Sequence, residues 1–416
     1  MRRRGRSAQR ARATKKLRKL IFTTDSTEHG GAEDHLRVLA AEFHKRGNQV
    51  RVLLPEAAGT RRLVAQMREQ GVATAPLPLM AMNPDAVLQT WKAVVFNVFR
   101  LVFCFRRQRP DLIHFVVSWP TRDNWCGMIA ALVLGIPYVV DFQLVPPVVR
   151  CPPSERGLLK HLGAILNYVY SRADSLICVS QGNQRRLAEL FGIAAARIQI
   201  IYNGIDTNAF EQADRQQLCR LRKELALTPE RIVLTTVARL NIQKGHRYLI
   251  DAAKQLAAAN PRVVFLLVGD GELRVELERA VKESGLSDKF IFAGYRRDVA
   301  ELLALTDIFV LPTLFEGLPH SVLEAMAAGC CVVASRVDGV AEVVEDGETG
   351  ILVEAANVEQ LVAALNPLVH DEDARNEMGR KGMMRVKEKF GLSRMVEGVD
   401  SLYTAAWFAR SSQHLS

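Results

Sequence analysis

From residue 19 onward the chain follows one rhythm: short β-branched or apolar runs alternate with longer helical patterns. Runs at 19–23, 50–54, 112–115, 138–140, 176–179 and 198–201 read as strands in the first half. Those at 232–237, 263–268, 290–292, 308–311, 332–334 and 351–353 repeat the scheme in the second. Helical stretches such as 32–46 and 181–191 lie between them. Strands separated by helices build βαβ units, and βαβ units build parallel sheets. At 416 residues the chain exceeds one ordinary core. A break near Asn203-Gly204-Ile205-Asp206 therefore predicts an α/β protein of two Rossmann-like, doubly wound parallel-sheet domains facing a cleft. The expected division is a basic leader at 1–19, an N-terminal domain at 20–204 and a C-terminal domain at 205–392. A terminal helical segment at 393–416 would close either domain, with a return to the first as one option. In such sheets ligands collect at the carboxyl ends of the strands.

The formal charge of +10 narrows the partners once it is located. Residues 1–19 carry seven Arg, three Lys and no acid, so the rest of the chain holds 45 basic and 45 acidic residues. A leader without aromatic residues, on a formally neutral body, argues against nucleic acid as a partner. Only Leu20-Ile21-Phe22 follows the basic stretch before Thr23, Thr24 and Asp25, too short for an export signal. Seven scattered cysteines with no C-x-x-C spacing fit a reducing cytosol and neither a disulfide framework nor a zinc site.

The most informative stretch runs from Leu311 to Gly329, LPTLFEGLPHSVLEAMAAG. A buried strand ends at Leu311, Pro319 suits the first turn of a helix, and Gly329 suits its left-handed cap. The helix start near His320 to Leu323 is then an anion site, ready for phosphate. Glu316 precedes that site and Glu324 lies about a turn and a half inside the helix. Two carboxylates so placed can accept hydroxyl hydrogen bonds from a polyhydroxylated ligand whose phosphates sit at the helix end. Arg239 and Lys244 follow a strand and precede a helix, where a diphosphate finds the positive charge it needs to leave water. Gly30 and Gly31, after the first strand, permit positive φ and close backbone approach.

These residues resemble glycosyltransferase family 4, the retaining, nucleotide-sugar-dependent enzymes of GT-B fold. The resemblance rests on Glu316-x7-Glu324 within E-G-x-P…L-E-A-M-A-x-G, on Gly30-Gly31-Ala32-Glu33 and on Ile177-Cys178-Val179-Ser180. It extends to Tyr202-Asn203-Gly204-Ile205-Asp206, to Val237-Ala238-Arg239-Leu240-Asn241-Ile242-Gln243-Lys244-Gly245 and to Val268-Gly269-Asp270-Gly271. It implies that Arg239 and Lys244 clamp the pyrophosphate, that Glu316 orients the donor sugar and that Glu324 binds the ribose. Gly30 and Gly31 would close over the phosphates, with Gly317 and Leu318 beside them. Gly269 and the base-binding turn at Gly294-Tyr295-Arg296 would meet the nucleoside, through Tyr295 among others. The implied donor is a nucleoside diphosphate sugar, UDP-linked first and GDP-mannose next, with no cofactor and no metal. The acceptor class is a glycolipid or polysaccharide, and a non-catalytic nucleotide-sugar binder or a hydrolase or epimerase of such sugars are the alternatives.

Two positions depart from the family pattern. Ile113-His114-Phe115-Val116 lacks the second His of an H-x-H, and Val139-Val140-Asp141-Phe142-Gln143 lacks a His after the fifth strand. Asp141 or Gln143 would stand in, and His114 reads as structural. Residues 91–109, WKAVVFNVFRLVFCFRRQR, form a helical pattern with Trp91, Val94, Val95, Val98, Val102 and Phe105 on one face. Phe96, Phe99 and Phe103 form a second face with Lys92. With the leader at 2–19, that face predicts a peripheral enzyme on the anionic inner leaflet of a membrane, its body in the cytoplasm.

Overall fold

The computed structural model describes residues 18–28, 30–77, 79, 87–118, 120, 124–147, 159–210 and 214–413. The first strands are β1 (Lys19–Thr23), β2 (Gln49–Leu54), β3 (Ala73–Pro76), β4 (Leu112–Val117), β5 (Tyr138–Phe142), β6 (Ser175–Cys178) and β7 (Ile198–Ile200). They form one sheet in the order β3-β2-β1-β4-β5-β6-β7. Between them run α1 (Gly31–Lys45), α2 (Arg61–Glu69), α3 (Val87–Gln108), α4 (Trp125–Leu134), α5 (Leu159–Ser171) and α6 (Gln181–Phe191).

The second sheet holds β8 (Ile232–Val237), β9 (Val263–Val268), β10 (Phe290–Gly294), β11 (Ile308–Leu311), β12 (Cys331–Ser335) and β13 (Ile351–Val353). Its order is β10-β9-β8-β11-β12-β13, and all five pairs are parallel. Its helices are α7 (Arg215–Glu224), α8 (His246–Ala259), α9 (Arg274–Glu283), α10 (Val299–Ala304), α11 (His320–Ala327), α12 (Asp338–Val343), α13 (Val358–His370) and α14 (Glu372–Lys389). The last helix is α15 (Leu392–Gln413).

Residue burial explains why the strands were legible. Every residue of β4, β5, β9, β11 and β12 is buried, as expected where both faces of a parallel sheet are covered. β3 escaped the apolar pattern. Its sequence Ala-Thr-Ala-Pro carries no apolar run, none of its four residues is fully buried, and it sits at the sheet edge. Pro76 is tolerated there because an edge strand needs fewer N–H donors.

Packing divides the described residues into two compact units. Unit 1 takes those within 18–141, 159–176 and 401–413; unit 2 takes those within 142–147 and 177–400. The break expected near residues 203–206 follows β7 (Ile198–Ile200), the last strand of the first sheet, while by packing residues 177–204 go with unit 2. The Gln181 and Gly182 N–H groups at the start of α6 donate to the Glu342 carboxylate, Arg186 pairs with Asp338, and Asn203 Nδ2 donates to the Leu318 carbonyl at 3.0 Å. Within α15, Met395 Sδ accepts from the Gly204 N–H in unit 2, while residues from 401 onward pack in unit 1.

Residues 1–17 of the leader lie outside the described residues. Arg18, counted with that leader, is instead folded: it is 8 % exposed, its guanidinium donates to Thr404 Oγ1 at 2.6 Å, and it lies 6.0 Å from the Trp407 ring. Among the described residues no helix is long and apolar enough to cross a membrane.

Candidate active site

In unit 2 the sheet order alone gathers most of the expected residues. β10, β9, β8 and β11 are consecutive and parallel, so the loops after them leave the same edge of the sheet. Those loops carry Tyr295, Gly269, Arg239 with Lys244, and Glu316 to Leu318 respectively. They are also bonded to one another. The Ala238 N–H donates to the Val268 carbonyl at 2.9 Å, Leu240 N–H to Asp270 at 3.0 Å, and Gly269 N–H to Gly294 at 2.8 Å.

The glycines fit these crossings. Gly269 has φ 138° and Gly245 φ 67°, left-handed values that L side chains resist. A Cβ on Gly269 would fall 2.0 Å from the Ala238 carbonyl oxygen, and one on Gly245 would fall 2.0 Å from that of Pro312. Gly317 needs its bareness for space alone, since a Cβ would lie 1.9 Å from the Gln143 carbonyl oxygen.

Lys244 and Glu316 meet. Lys244 Nζ lies 2.5 Å from Glu316 Oε1, and the same oxygen accepts from Thr313 Oγ1 at 3.0 Å. Gln243 stitches the two loops further: its Nε2 donates to the Phe315 carbonyl at 2.8 Å, and its own carbonyl accepts from the Leu314 N–H at 2.8 Å. Glu316 is 5 % exposed. A carboxylate so buried is held by charge-assisted bonds in a fixed rotamer, the condition for orienting a ligand. Thr313 and Gln243 were not singled out from the sequence; their place inside the two motifs was the available signal.

α11 starts at His320 with Pro319 as its N-cap, which supplies no side-chain cap, and ends before Gly329 at φ 77°. The Val322 and Leu323 N–H groups bond the Pro319 carbonyl at 3.2 and 3.4 Å, and the helix start, with its positive dipole end, faces the loop of Glu316. Glu324 is half-buried within this helix, and Tyr295 is exposed on the far loop. His246, the first residue of α8, is buried, and neither ring nitrogen has a hydrogen-bond partner among the described residues. Burial, then the charge of Lys244, pushes its pKa down to about 4, so the ring is neutral at neutral pH.

Unit 1 is described by itself. Gly30 caps α1 with φ −155°, an extended value open to any residue, and Gly31 is the helix's first residue. Neither takes a positive φ in this structure. The start of α1 is fixed instead by Glu33, which accepts from the Gly30 N–H at 2.8 Å and from Ser118 Oγ at 3.1 Å. Asp141 is buried at the heart of a polar chain: its Oδ2 lies 2.8 Å from His35 Nε2 and 3.3 Å from His114 Nε2, while Tyr403 Oη lies 2.7 Å from His114 Nδ1. The tautomer that satisfies this chain has Tyr403 donating to Nδ1 and Nε2–H donating to the carboxylate. Burial works to raise the Asp141 carboxyl, and His35 and His114 outweigh it, holding it below the ordinary carboxylate range. Burial lowers the pKa of His114. His114 is thus structural as expected, whereas Asp141 is committed to two imidazoles. An open recess of about 400 Å3, its solvent-filled mouth included, lies at the ends of β1 and β4, lined by Thr23, Asp25, Asn97, Leu101, Phe105 and Trp125 among others.

Two family models match the chain. The model for Glycosyltransferase Family 4 covers residues 29–209, and that for Glycosyl transferases group 1 covers 220–385. N-acetyl-α-D-glucosaminyl L-malate synthase of Bacillus anthracis is 30% identical over 299 residues, 72% of this chain and 75% of that protein. This chain belongs to glycosyltransferase family 4. A second relative of this family 4 transferase is UDP-Gal:α-D-GlcNAc-diphosphoundecaprenol α-1,3-galactosyltransferase of Escherichia coli, 27% identical over 72% of this chain and 76% of that protein. Among solved structures, Anabaena HepE in complex with UDP and glucose superposes with a TM-score of 0.79 at 22% identity, over 93% of this chain and all of the other. The shared architecture is GT-B, with two parallel-sheet α/β domains.

Proposed function

We propose that this transferase moves a sugar, with retention at the anomeric carbon, from a nucleoside diphosphate sugar to a glycan or lipid-linked acceptor, without a metal ion. A uridine diphosphate sugar is the first choice of donor and GDP-mannose the second. The observation that carries the reading is the Lys244–Glu316 pair, 2.5 Å apart where β8 and β11 end, beside the uncapped start of α11. The pyrophosphate is taken by Arg239, Lys244 and the N–H groups near Gly317 and Leu318. Glu316 accepts the donor sugar's hydroxyls, Glu324 the ribose hydroxyls, and Gly269 and Tyr295 border the nucleoside.

In the reaction the acceptor oxygen attacks the anomeric carbon on the face the diphosphate leaves. The sugar–phosphate C–O bond breaks and a β-phosphate oxygen takes the acceptor's proton. Negative charge grows on the leaving diphosphate, so fixed cations there lower the barrier without a covalent enzyme intermediate. HepE was solved with UDP and glucose, and the Escherichia coli relative is named for UDP-Gal and a diphosphoundecaprenol acceptor. Both support a uridine donor, and the second supports a lipid-linked acceptor. The recess of unit 1 is the place read for that acceptor.

The test is product analysis with a panel of nucleotide sugars and lipid-linked glycan acceptors. The expected product keeps the donor's anomeric configuration, and Arg239→Ala loses turnover by about 100-fold or more. An inverted product overturns the retaining mechanism, and free sugar as the sole product makes the protein a hydrolase.

A further inference from the structure

Among the described residues nothing covers the outer face of α3, and its chemistry identifies a partner. The inner face follows an i, i+4 ladder of Ala93, Asn97, Leu101 and Phe105, all buried. The outer face carries Val95, Phe96, Phe99 and Phe103, with Phe99 71 % and Phe103 69 % exposed. Among the described residues, Phe96, Phe99 and Phe103 are the exposed phenylalanines. Val95, expected on the buried face, is exposed because the ladder through Asn97 sets the helix rotation. Large exposed apolar side chains grouped in this way mark a contact surface.

Charge decides what the contact is. α3 contains Lys92, Arg100, Arg106 and Arg107 and no acid, and all four cations are exposed. The Arg100 guanidinium lies 5.5 Å from the Phe96 ring. Lys19 is anchored beside the same helix: its N–H donates to Asp111 Oδ2 at 2.7 Å, and the Asp111 N–H donates to the Lys19 carbonyl at 2.8 Å. Asp111 lies just past the end of α3. Residues 1–17, outside the described residues, add six Arg and two Lys with no acid. A second copy docked on this face would set cations against cations. An anionic bilayer offers hydrocarbon to the rings and headgroup charge to the cations.

We propose that the outer face of α3 docks this enzyme on an anionic lipid surface. The proposal rests on the lipid-linked acceptor reading and gives that reading a surface. The helix then has two working sides. Phe96, Phe99 and Phe103 enter the interface, while Asn97, Leu101 and Phe105 line the recess of unit 1.

The test is co-sedimentation of the full chain with phosphatidylcholine vesicles, with and without one quarter phosphatidylglycerol, at two salt concentrations. Expected are binding that needs the anionic lipid, weakening with salt, and a loss of at least about tenfold in Phe96→Ser/Phe99→Ser/Phe103→Ser. Arg100→Gln/Arg106→Gln/Arg107→Gln should weaken binding and flatten its salt dependence. Thermal melting checks that each variant is folded. Wild-type binding by the folded Phe variant overturns the proposal, as does equal binding to neutral vesicles or none at all. A dimer in sedimentation velocity that the Phe variant dissolves overturns it in favour of a second copy. Stabilisation by UDP is read on the same samples: a chain that binds UDP but no vesicles loses the docking surface and keeps the donor site. A chain that binds vesicles but no nucleotide diphosphate does the reverse.

Discussion

The two units each hold a buried carboxylate, and the two are built differently. Glu316 in unit 2 is held by groups from its own loop and from one neighbouring motif, with Lys244, Thr313 and Gln243 all within two short segments. Asp141 in unit 1 is held by residues gathered from across the chain, with His35 106 positions away and the Tyr403–His114 bond spanning 289. One carboxylate faces a single ammonium that a phosphate can compete for, the other two imidazoles, one of them braced in turn by a phenol. The first arrangement suits a ligand site and the second a framework.

Substitutions that remove each carboxylate's charge should separate these roles. Glu316→Gln keeps the shape but leaves Lys244 without its anion, and turnover should fall about 100- to 1,000-fold with the melting temperature little changed. A variant that keeps near-normal turnover would remove Glu316 from the site. Asp141→Asn should do the opposite first. Replacing the charged partner of two buried imidazoles should lower stability by about 3 kcal/mol in denaturant titration. Unchanged stability would show that the Asp141 chain is not a framework.

Acid sharpens the same comparison. His246 titrates near 4 in the fold against an ordinary 6.5. Between those values the unfolded chain binds a proton that the folded chain refuses, so stability is full above about pH 6.5 and falls as pH drops toward 4, by up to about 3 kcal/mol. His114, also lowered by burial, adds to the slope in the same direction. His246→Asn should flatten part of the slope of stability against pH over that window. An unchanged slope would place the proton uptake in unit 1 alone.

The contrast also explains what the sequence disclosed. A strand end, a turn glycine and a helix start lie within about ten residues, so local rules located Lys244 and Glu316 and the sheet order then brought them together. The Asp141 chain has no local signature, because neither the partner of His114 nor that of His35 lies near it in sequence. β3 was missed for want of an apolar run.

The central claim is that the strand ends of unit 2 bind the diphosphate of a nucleotide sugar. Calorimetric titration with UDP, UDP-sugars and GDP-mannose tests it directly, using wild type, Arg239→Ala and Lys244→Ala. The account predicts saturable one-site binding by at least one of these nucleotides, weakened about tenfold or more by each substitution. Binding that both variants retain at full strength, or no binding by any of them, would contradict it.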